Sequence, residues 1–406
     1  MKTKLIVVAL FSLFLYGCNS VESEINVEKS TKVSGGNSSV ISPDEAKTIA
    51  LNFLQSMSET TRSTSNRVND VLVWRSHKSD YSTRSEVSVS DLSDTLMYIV
   101  NLVDDSGYVL VSANRDNATV LAFVEEGKLT PTDTIDNPGF KLFLDGAFSG
   151  VSLSSISDKS LEPRELAPKI AFVNKFIKTK WNQRSPFNDQ CPIIKGQHAL
   201  AGCVPIATAQ VVAYYKTPSS YNEHVYYWDS IYVENVPFTQ IGREGAAHLV
   251  HDIGLLENVS YGLTATGAYY ENIATCLSAF NYHYSTLHRY DYETIRTPLS
   301  NRRPVIITGR NNQNIGHAWI IDGYFEYTEM KVEHLGDGTP LIFPEKSEYV
   351  HCNWGWGGNC NGYFLSGVFN TLDKRFADIL FDPVVQGTVN YNFISDFNLY
   401  YDIYPN

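Results

Sequence analysis

Between residues 196 and 210 the chain reads Gly196-Gln197-His198-Ala199-Leu200-Ala201-Gly202-Cys203-Val204-Pro205-Ile206-Ala207-Thr208-Ala209-Gln210. A small-residue loop ending in Ala201-Gly202 delivers one cysteine to the start of an apolar helix that runs on until Pro218. Pro205 restricts where that helix begins, because its missing N–H is tolerated in the first turn and costs a hydrogen bond further in. Cys203 therefore stands where backbone N–H groups point outward unpaired and the helix dipole is positive. That setting favours thiolate over thiol. Gly202 leaves room for a substrate backbone to approach. A free cysteine is also commonly a small buried hydrophobe. On this stretch alone, catalysis and packing both remain open.

With 406 residues the chain exceeds one ordinary core, so two or more domains are expected. Its net charge of −12 is spread along the sequence and argues against nucleic acid as a partner. Residues 1–18 read as a targeting signal. Lys2 and Lys4 precede an apolar run, Leu5 to Tyr16, that is too short for a permanent membrane span. The run closes on Leu15-Tyr16-Gly17-Cys18, which resembles the bacterial lipobox, where the cysteine is lipidated and becomes the mature N-terminus. Tyr16 is bulkier than usual at its position, and plain secretion is the alternative. The expected location is thus outside the cytoplasm, with a lipid anchor on Cys18. Residues 19–40 are polar and Gly/Ser-rich and read as a flexible tether.

Export changes how the other cysteines read. Cys191, Cys203, Cys276, Cys352 and Cys360 are odd in number, so at least one stays free in an oxidising compartment. Cys276 shares a helical stripe with Ile273, Leu277 and Phe280 and is expected in a core. Cys352 and Cys360 flank a glycine-rich turn, and a disulfide between them is open. No CxxC or HExxH spacing occurs, so neither a metal nor a cofactor is expected.

Ser42-Pro43-Asp44-Glu45 forms a capping box with proline at the first helical position, ahead of Ala46, Ile49, Ala50, Phe53, Leu54 and Met57 at helical spacing. Strands are predicted over 71–75, 96–102, 108–112 and 120–125, separated by turns at 104–107 and 115–117, as in an antiparallel meander. This first unit, residues 41–166, offers no nucleophile–base pair. Its Ser-rich end, 149–166, is a plausible boundary and cleavage zone. The second unit, 167–406, holds every candidate catalytic group. It carries a predicted helix over 244–253 stopping at Gly254, and strands over 305–308, 318–324, 326–333, 349–354 and 362–365. Together the two units read as α+β.

A cysteine nucleophile needs a base, a group that orients the base and an oxyanion donor. His317 opens an apolar strand after a glycine loop, Gly316-His317-Ala318-Trp319-Ile320-Ile321-Asp322-Gly323, where an imidazole can face a cleft. A strand histidine satisfied by a neighbouring carbonyl is the alternative. His198 is nearer in sequence but reads as loop packing. Asn353, in His351-Cys352-Asn353-Trp354-Gly355-Trp356-Gly357-Gly358, has an amide oxygen able to accept from the imidazole, and Trp354 can cover that contact. Consecutive strand residues face opposite ways, so both reach one site only if the strand ends or bulges there. A Gly/Trp-rich structural turn is the competing reading. Gln183, in Trp181-Asn182-Gln183, has a side-chain N–H that could face an oxyanion, although alone it carries no signal.

These four segments, in the order Gln, Cys, His, Asn, resemble the streptopain family of secreted bacterial cysteine peptidases. The resemblance implies a papain-like domain, a central helix carrying the nucleophile plus an antiparallel sheet, preceded by an α+β inhibitory pro-domain. It implies Cys203 as nucleophile, His317 as general base, Gln183 as oxyanion donor, and Asn353 and Trp354 as support for the histidine. Its substrates would be proteins or peptides, and its own pro-domain would be its inhibitor. The sequence departs from the family at Pro205, where alanine is usual, in the Tyr-rich stretch 219–240, and in its extra cysteines. A catalytically silent binding module of the same shape is the rival class. A transglutaminase-like acyl transferase would be expected to carry Asp where Asn353 stands.

Overall fold

The first helix starts where its capping box sets it. In the computed structural model the Ser42 N–H donates to Glu45 Oε2 at 2.7 Å and the Glu45 N–H to Ser42 Oγ at 3.2 Å, opening α1 (Pro43–Thr61). The structure describes residues 40–61, 67–75, 95–115, 119–151, 169–311, 316–334, 339–370 and 394–406. The leader with Cys18, the tether and most of the expected cleavage zone lie outside the described residues. No helix among those described is long and apolar enough to cross a membrane.

After α1 come β1 (Val68–Arg75), β2 (Thr95–Leu102), β3 (Tyr108–Ser112) and β4 (Val120–Val124), an antiparallel meander close to the predicted bounds. Then follow α2 (Pro138–Val151) and β5 (Lys169–Val173). A short hairpin of β6 (Ile193–Ile194) and β7 (Gln197–His198) leads into α3 (Cys203–Tyr215). The Tyr-rich stretch forms β8 (Ser220–Tyr221), β9 (His224–Val225) and α4 (Trp228–Ile231). Next are α5 (Gln240–Leu256), α6 (Asn272–Ala279), β10 (Tyr282–Leu287), α7 (Tyr292–Ser300) and β11 (Val305–Asn311). The chain ends with β12 (Gly316–His334), β13 (Pro340–Asn353), β14 (Gly362–Leu365) and β15 (Ile394–Pro405).

One eleven-stranded sheet joins nearly all of this, in the order β1-β2-β3-β4-β14-β13-β12-β11-β15-β10, with β5 added against β12. The two halves of the chain meet at β4 and β14, paired antiparallel as Val124 with Gly362, Phe123 with Tyr363 and Ala122 with Phe364. Gly362 is required there, because a Cβ would lie 2.1 Å from the Phe123 carbonyl oxygen. Residues 39–406 form one compact unit around this continuous sheet.

The period of two along β12 decides what each face carries. Ala318 and Ile320 pack with α3, α5 and α6 on one side, while Trp319 and Ile321 pack with α2, Trp354 and Phe364 on the other. A third core lies under α1, where Phe53 meets the rings of Phe325 (5.5 Å) and Tyr349 (5.0 Å). The N-terminal unit therefore borrows apolar partners from the C-terminal one. Phe53→Ala should cost about 3–5 kcal/mol, read as a lower thermal midpoint of the full chain. An unchanged midpoint would mean this contact is not part of the cooperative fold.

Two local expectations change and one left open is answered. The helix predicted to stop at Gly254 continues to Leu256, and the glycine serves packing, since a Cβ there would lie 2.4 Å from the Tyr261 hydroxyl. The strands predicted over 318–324 and 326–333 are one strand, with a register shift between Ile321 and Gly323. All five described cysteines are free, and Cys276 lies in the core as its stripe suggested.

Candidate active site

Cys203 is the first residue of α3, after Gly202 at φ +96°. The loop that presents it is pinned from two sides. The Ala201 N–H donates to the Gln183 carbonyl at 3.0 Å, and the Leu200 N–H to the Gly262 carbonyl at 2.9 Å. Thr266 Oγ1 closes the second contact, donating to the Leu200 carbonyl at 2.6 Å. Every residue from Val204 to Ala213 is buried, which anchors the helix beneath a half-buried Cys203.

Burial raises the Cys203 thiol above its ordinary value, and the N–H groups of Ala318, Cys203 and Val204 offset this only in part. The helix terminus does aim N–H groups at the sulfur, as its position suggested. The expected bias toward thiolate is nevertheless not realised in this state, because desolvation outweighs those N–H groups. The Ala318 contact also brings the strand of His317 directly to Cys203.

His317 is buried, and its Nε2 donates to the Trp354 carbonyl at 2.8 Å, which places the proton on that nitrogen. Burial pulls its pKa down to about 4, the carbonyl contact opposing this weakly, so the ring is neutral at pH 7. Asn353 does not orient the imidazole in this state. Its amide N–H groups go to the Thr179 carbonyl (2.8 Å) and Gln210 Oε1 (3.3 Å), and its oxygen accepts from the Gly355 N–H at 3.2 Å. β13 ends at Asn353, and Gly355 turns the chain at φ +66°. Asn353 and Trp354 nevertheless point to opposite sides, as consecutive strand residues do, so the end of the strand does not bring both to one site. The Trp354 ring packs on Trp319 and Phe364, and its carbonyl takes the place expected of the Asn353 amide. Gln183 is buried beside the loop that presents Cys203, and its carbonyl accepts from the Ala201 N–H. His198 Nδ1 lies 2.9 Å from the Cys191 carbonyl, a packing contact.

Sequence reasoning missed Asn137 and Gly139. Asn137 Oδ1 accepts from the Gly139 and Phe140 N–H groups at 3.1 Å, capping α2, while its Nδ2 donates to the Asn359 carbonyl at 2.8 Å. A Cβ on Gly139 would lie 2.3 Å from Trp354 Cε3 and 2.7 Å from His317 Cδ2. The first turn of α2 thus lies directly on the imidazole. The signal was present as a cap-plus-proline start, Asn137-Pro138, followed by Phe140, Phe143, Leu144 and Ala147 at helical spacing. Among the described residues no group of three or more His, Cys, Asp or Glu is arranged to hold a metal.

Residues 181–364 match the family described as Peptidase C10 family, and residues 38–148 match the one described as Spi protease inhibitor. Streptopain of Streptococcus pyogenes is 24% identical over 326 residues, covering 69% of this chain and 76% of the relative. A thiol protease/hemagglutinin, PrtT, of Porphyromonas gingivalis is 23% identical over 330 residues, 69% of this chain and 35% of that protein. In fold, the chain is similar to a prointerpain A fragment from Prevotella intermedia, with a TM-score of 0.54 and 21% identity over 75% of this chain and 94% of that one.

Proposed function

We propose, on the premise that this chain belongs to the streptopain-like C10 family of cysteine peptidases, that Cys203 is its nucleophile and His317 its general base and acid. His317 takes the thiol proton, and the Cys203 sulfur attacks the carbonyl carbon of a peptide bond. The Gln183 side-chain N–H and the Cys203 backbone N–H hold the resulting oxyanion. His317 then returns the proton to the leaving amine, and water hydrolyses the acyl-enzyme. Asn353 and Trp354 support His317 in the active arrangement. The observation that supports this reading is the packing of α3 against β12, where Cys203 and Ile206 share a core with Ala318 and Ile320 beside the strand that His317 opens.

Residues 41–166 form the inhibitory unit and 167–406 the catalytic unit, so the chain is made as a zymogen. Its latency has a physical source: a neutral thiol, a neutral imidazole committed to the Trp354 carbonyl, and α2 resting on that ring. In a time course of residues 19–406, the wild type is expected to trim itself and then digest casein. An epoxide thiol-protease inhibitor should label Cys203 and stop both steps. A chain that neither trims itself nor takes the label would remove the catalytic assignment. Gln183→Ala is expected to lower kcat on the order of 10²-fold, as loss of one oxyanion donor does. An unchanged kcat would exclude that role.

Export with lipidation at Cys18 places the anchor on the inhibitory unit, not on the catalytic one. Cutting between residues 150 and 170 then activates the enzyme and detaches it from the membrane together. Active mature enzyme that stays membrane-bound through a high-salt wash would contradict this.

A further inference from the structure

We propose that Glu125, Lys175 and His351 form a charge latch that seats the N-terminal unit on the catalytic sheet, separate from the α2 contact at His317, and that it loosens when His351 loses its proton. This rests on the reading of residues 41–166 as the inhibitory unit and adds how that unit is held.

Glu125 directly follows β4, and its N–H donates to the Asn361 carbonyl at 3.1 Å, the last rung of the β4–β14 junction. Its carboxylate pairs with the Lys175 ammonium and lies 3.7 Å from His351 Nε2. His351 is buried, and its Nδ1 is 2.5 Å from Asp322 Oδ1. Asp322 is buried too, and also accepts from the Phe176 and Ile177 N–H groups at 3.0 and 2.7 Å. One imidazole thus sits between two carboxylates, Asp322 from its own unit and Glu125 from the other. Its Nε2 has no hydrogen-bond partner, so across the junction it is met by charge alone.

Among the described residues, four further titratable side chains lie beside His351 or in the field of Asp322 and are uncharged at pH 7, and Arg302 and Lys178 lie beyond them next to Tyr214 and Tyr232. Tyr363 on β14 stacks edge-on against His351 at 5.1 Å, and the Cys352 thiol, Tyr214 and Tyr232 lie in the field of Asp322. All four are shifted upward, primarily by burial. The cluster therefore holds two negative and two positive charges, and withdrawing Glu125 unbalances it. The neighbouring Lys180–Glu126 pair, at 2.5 Å, is far more open to water on the Glu126 side, where ion pairs contribute little.

Burial opposes the charge on His351, but Asp322 and Glu125 outweigh it and carry the pKa up to about 9. Burial likewise opposes the charge on Glu125, and His351 with Lys175 brings its pKa down to about 2. For His351, stabilisation is complete below its ordinary value of 6.5 and is lost as pH rises toward 9. For Glu125, it is complete above 4.5 and is lost as pH falls toward 2. The latch is tightest between about pH 4.5 and 6.5.

The test is amide hydrogen exchange on the full chain carrying Cys203→Ala, which silences processing. Glu125→Gln should lower protection of the residue 125 and Tyr363 amides about tenfold at pH 5.5, the equivalent of one pKa unit of coupling. The difference from the parent should shrink at pH 8.5, and Glu126→Gln should leave protection unchanged. Lys175→Met, at a half-exposed position that tolerates substitution, should produce a smaller loss at pH 5.5 and serves if Glu125→Gln folds poorly. Parent-like protection in both variants at pH 5.5 would overturn the latch. The readout is docking and not turnover, so a unit that docks through Glu125 without inhibiting supports the latch and overturns only the inhibitory reading.

Discussion

Cys203→Ala is expected to abolish turnover, with kcat falling by about 10⁶, the size of loss seen when the nucleophile of a cooperating set is removed. His317→Ala should fall nearly as far, and the double variant no further than Cys203→Ala alone. Losses from groups that act in one step do not add. The structure makes the cysteine variant conservative. Cys203 is the first residue of a helix whose next ten residues are buried, and alanine keeps that start without adding a polar atom. Its folding should be intact by circular dichroism while peptide hydrolysis disappears. If Cys203→Ala kept measurable kcat on casein under conditions that exclude contaminating protease, the assignment of Cys203 as nucleophile would be lost.

The second large effect is expected at a residue far from the nucleophile in sequence. Gly139→Val places a side chain where Trp354 and His317 already stand, with the Cβ at 2.3 and 2.7 Å from their rings. The Trp354 ring is wholly buried against Trp319 and Phe364 and has little room to yield. The first turn of α2 must lift instead. Overpacking of this kind costs about 1–3 kcal/mol, so labelling of Cys203 by an epoxide inhibitor in the unprocessed chain should accelerate on the order of 10²-fold. The processed enzyme, lacking α2, should show no difference. Acid should act in the same direction at this contact. The buried His317 binds its proton only near pH 4, whereas a freed imidazole binds it near 6.5. The seated arrangement therefore keeps its full stability above pH 6.5 and loses it as pH falls toward 4. Labelling of the unprocessed Gly139→Val chain at the parental rate would show that α2 does not restrain the site.

The helix start at Cys203 and the strand start at His317 were legible because each has a local signal, whereas Gln183 and Asn353 were singled out through the family resemblance. A capping box, a proline confined to a first helical turn and a glycine before a strand histidine are short-range signals, and the elements begin where those signals lie. α1, the meander strands and the start of α3 follow this rule. Gly254 misled, because a glycine inside a helix and a glycine ending one look alike until Tyr261 is placed against it. The junction of β4 with β14 joins residues more than 230 positions apart, and no local pattern encodes it. The same holds for Asn137 and Gly139, whose helix start was legible but whose meeting with His317 was not.

The sequence by itself determined which side chains are available for chemistry and which element carries each: Cys203 at a helix start, His317 at a strand start, Gln183 in an upstream loop and Asn353 at a strand end. Only the tertiary structure decided their state. It gave the His317 proton to the Trp354 carbonyl, sent the Asn353 amide to Gln210 and Thr179, and left Cys203 a neutral thiol. The physical reason is that helix and strand starts follow from interactions within a few residues. Protonation and hydrogen-bond choice depend on desolvation, and desolvation is set by whatever distant segment packs on the site.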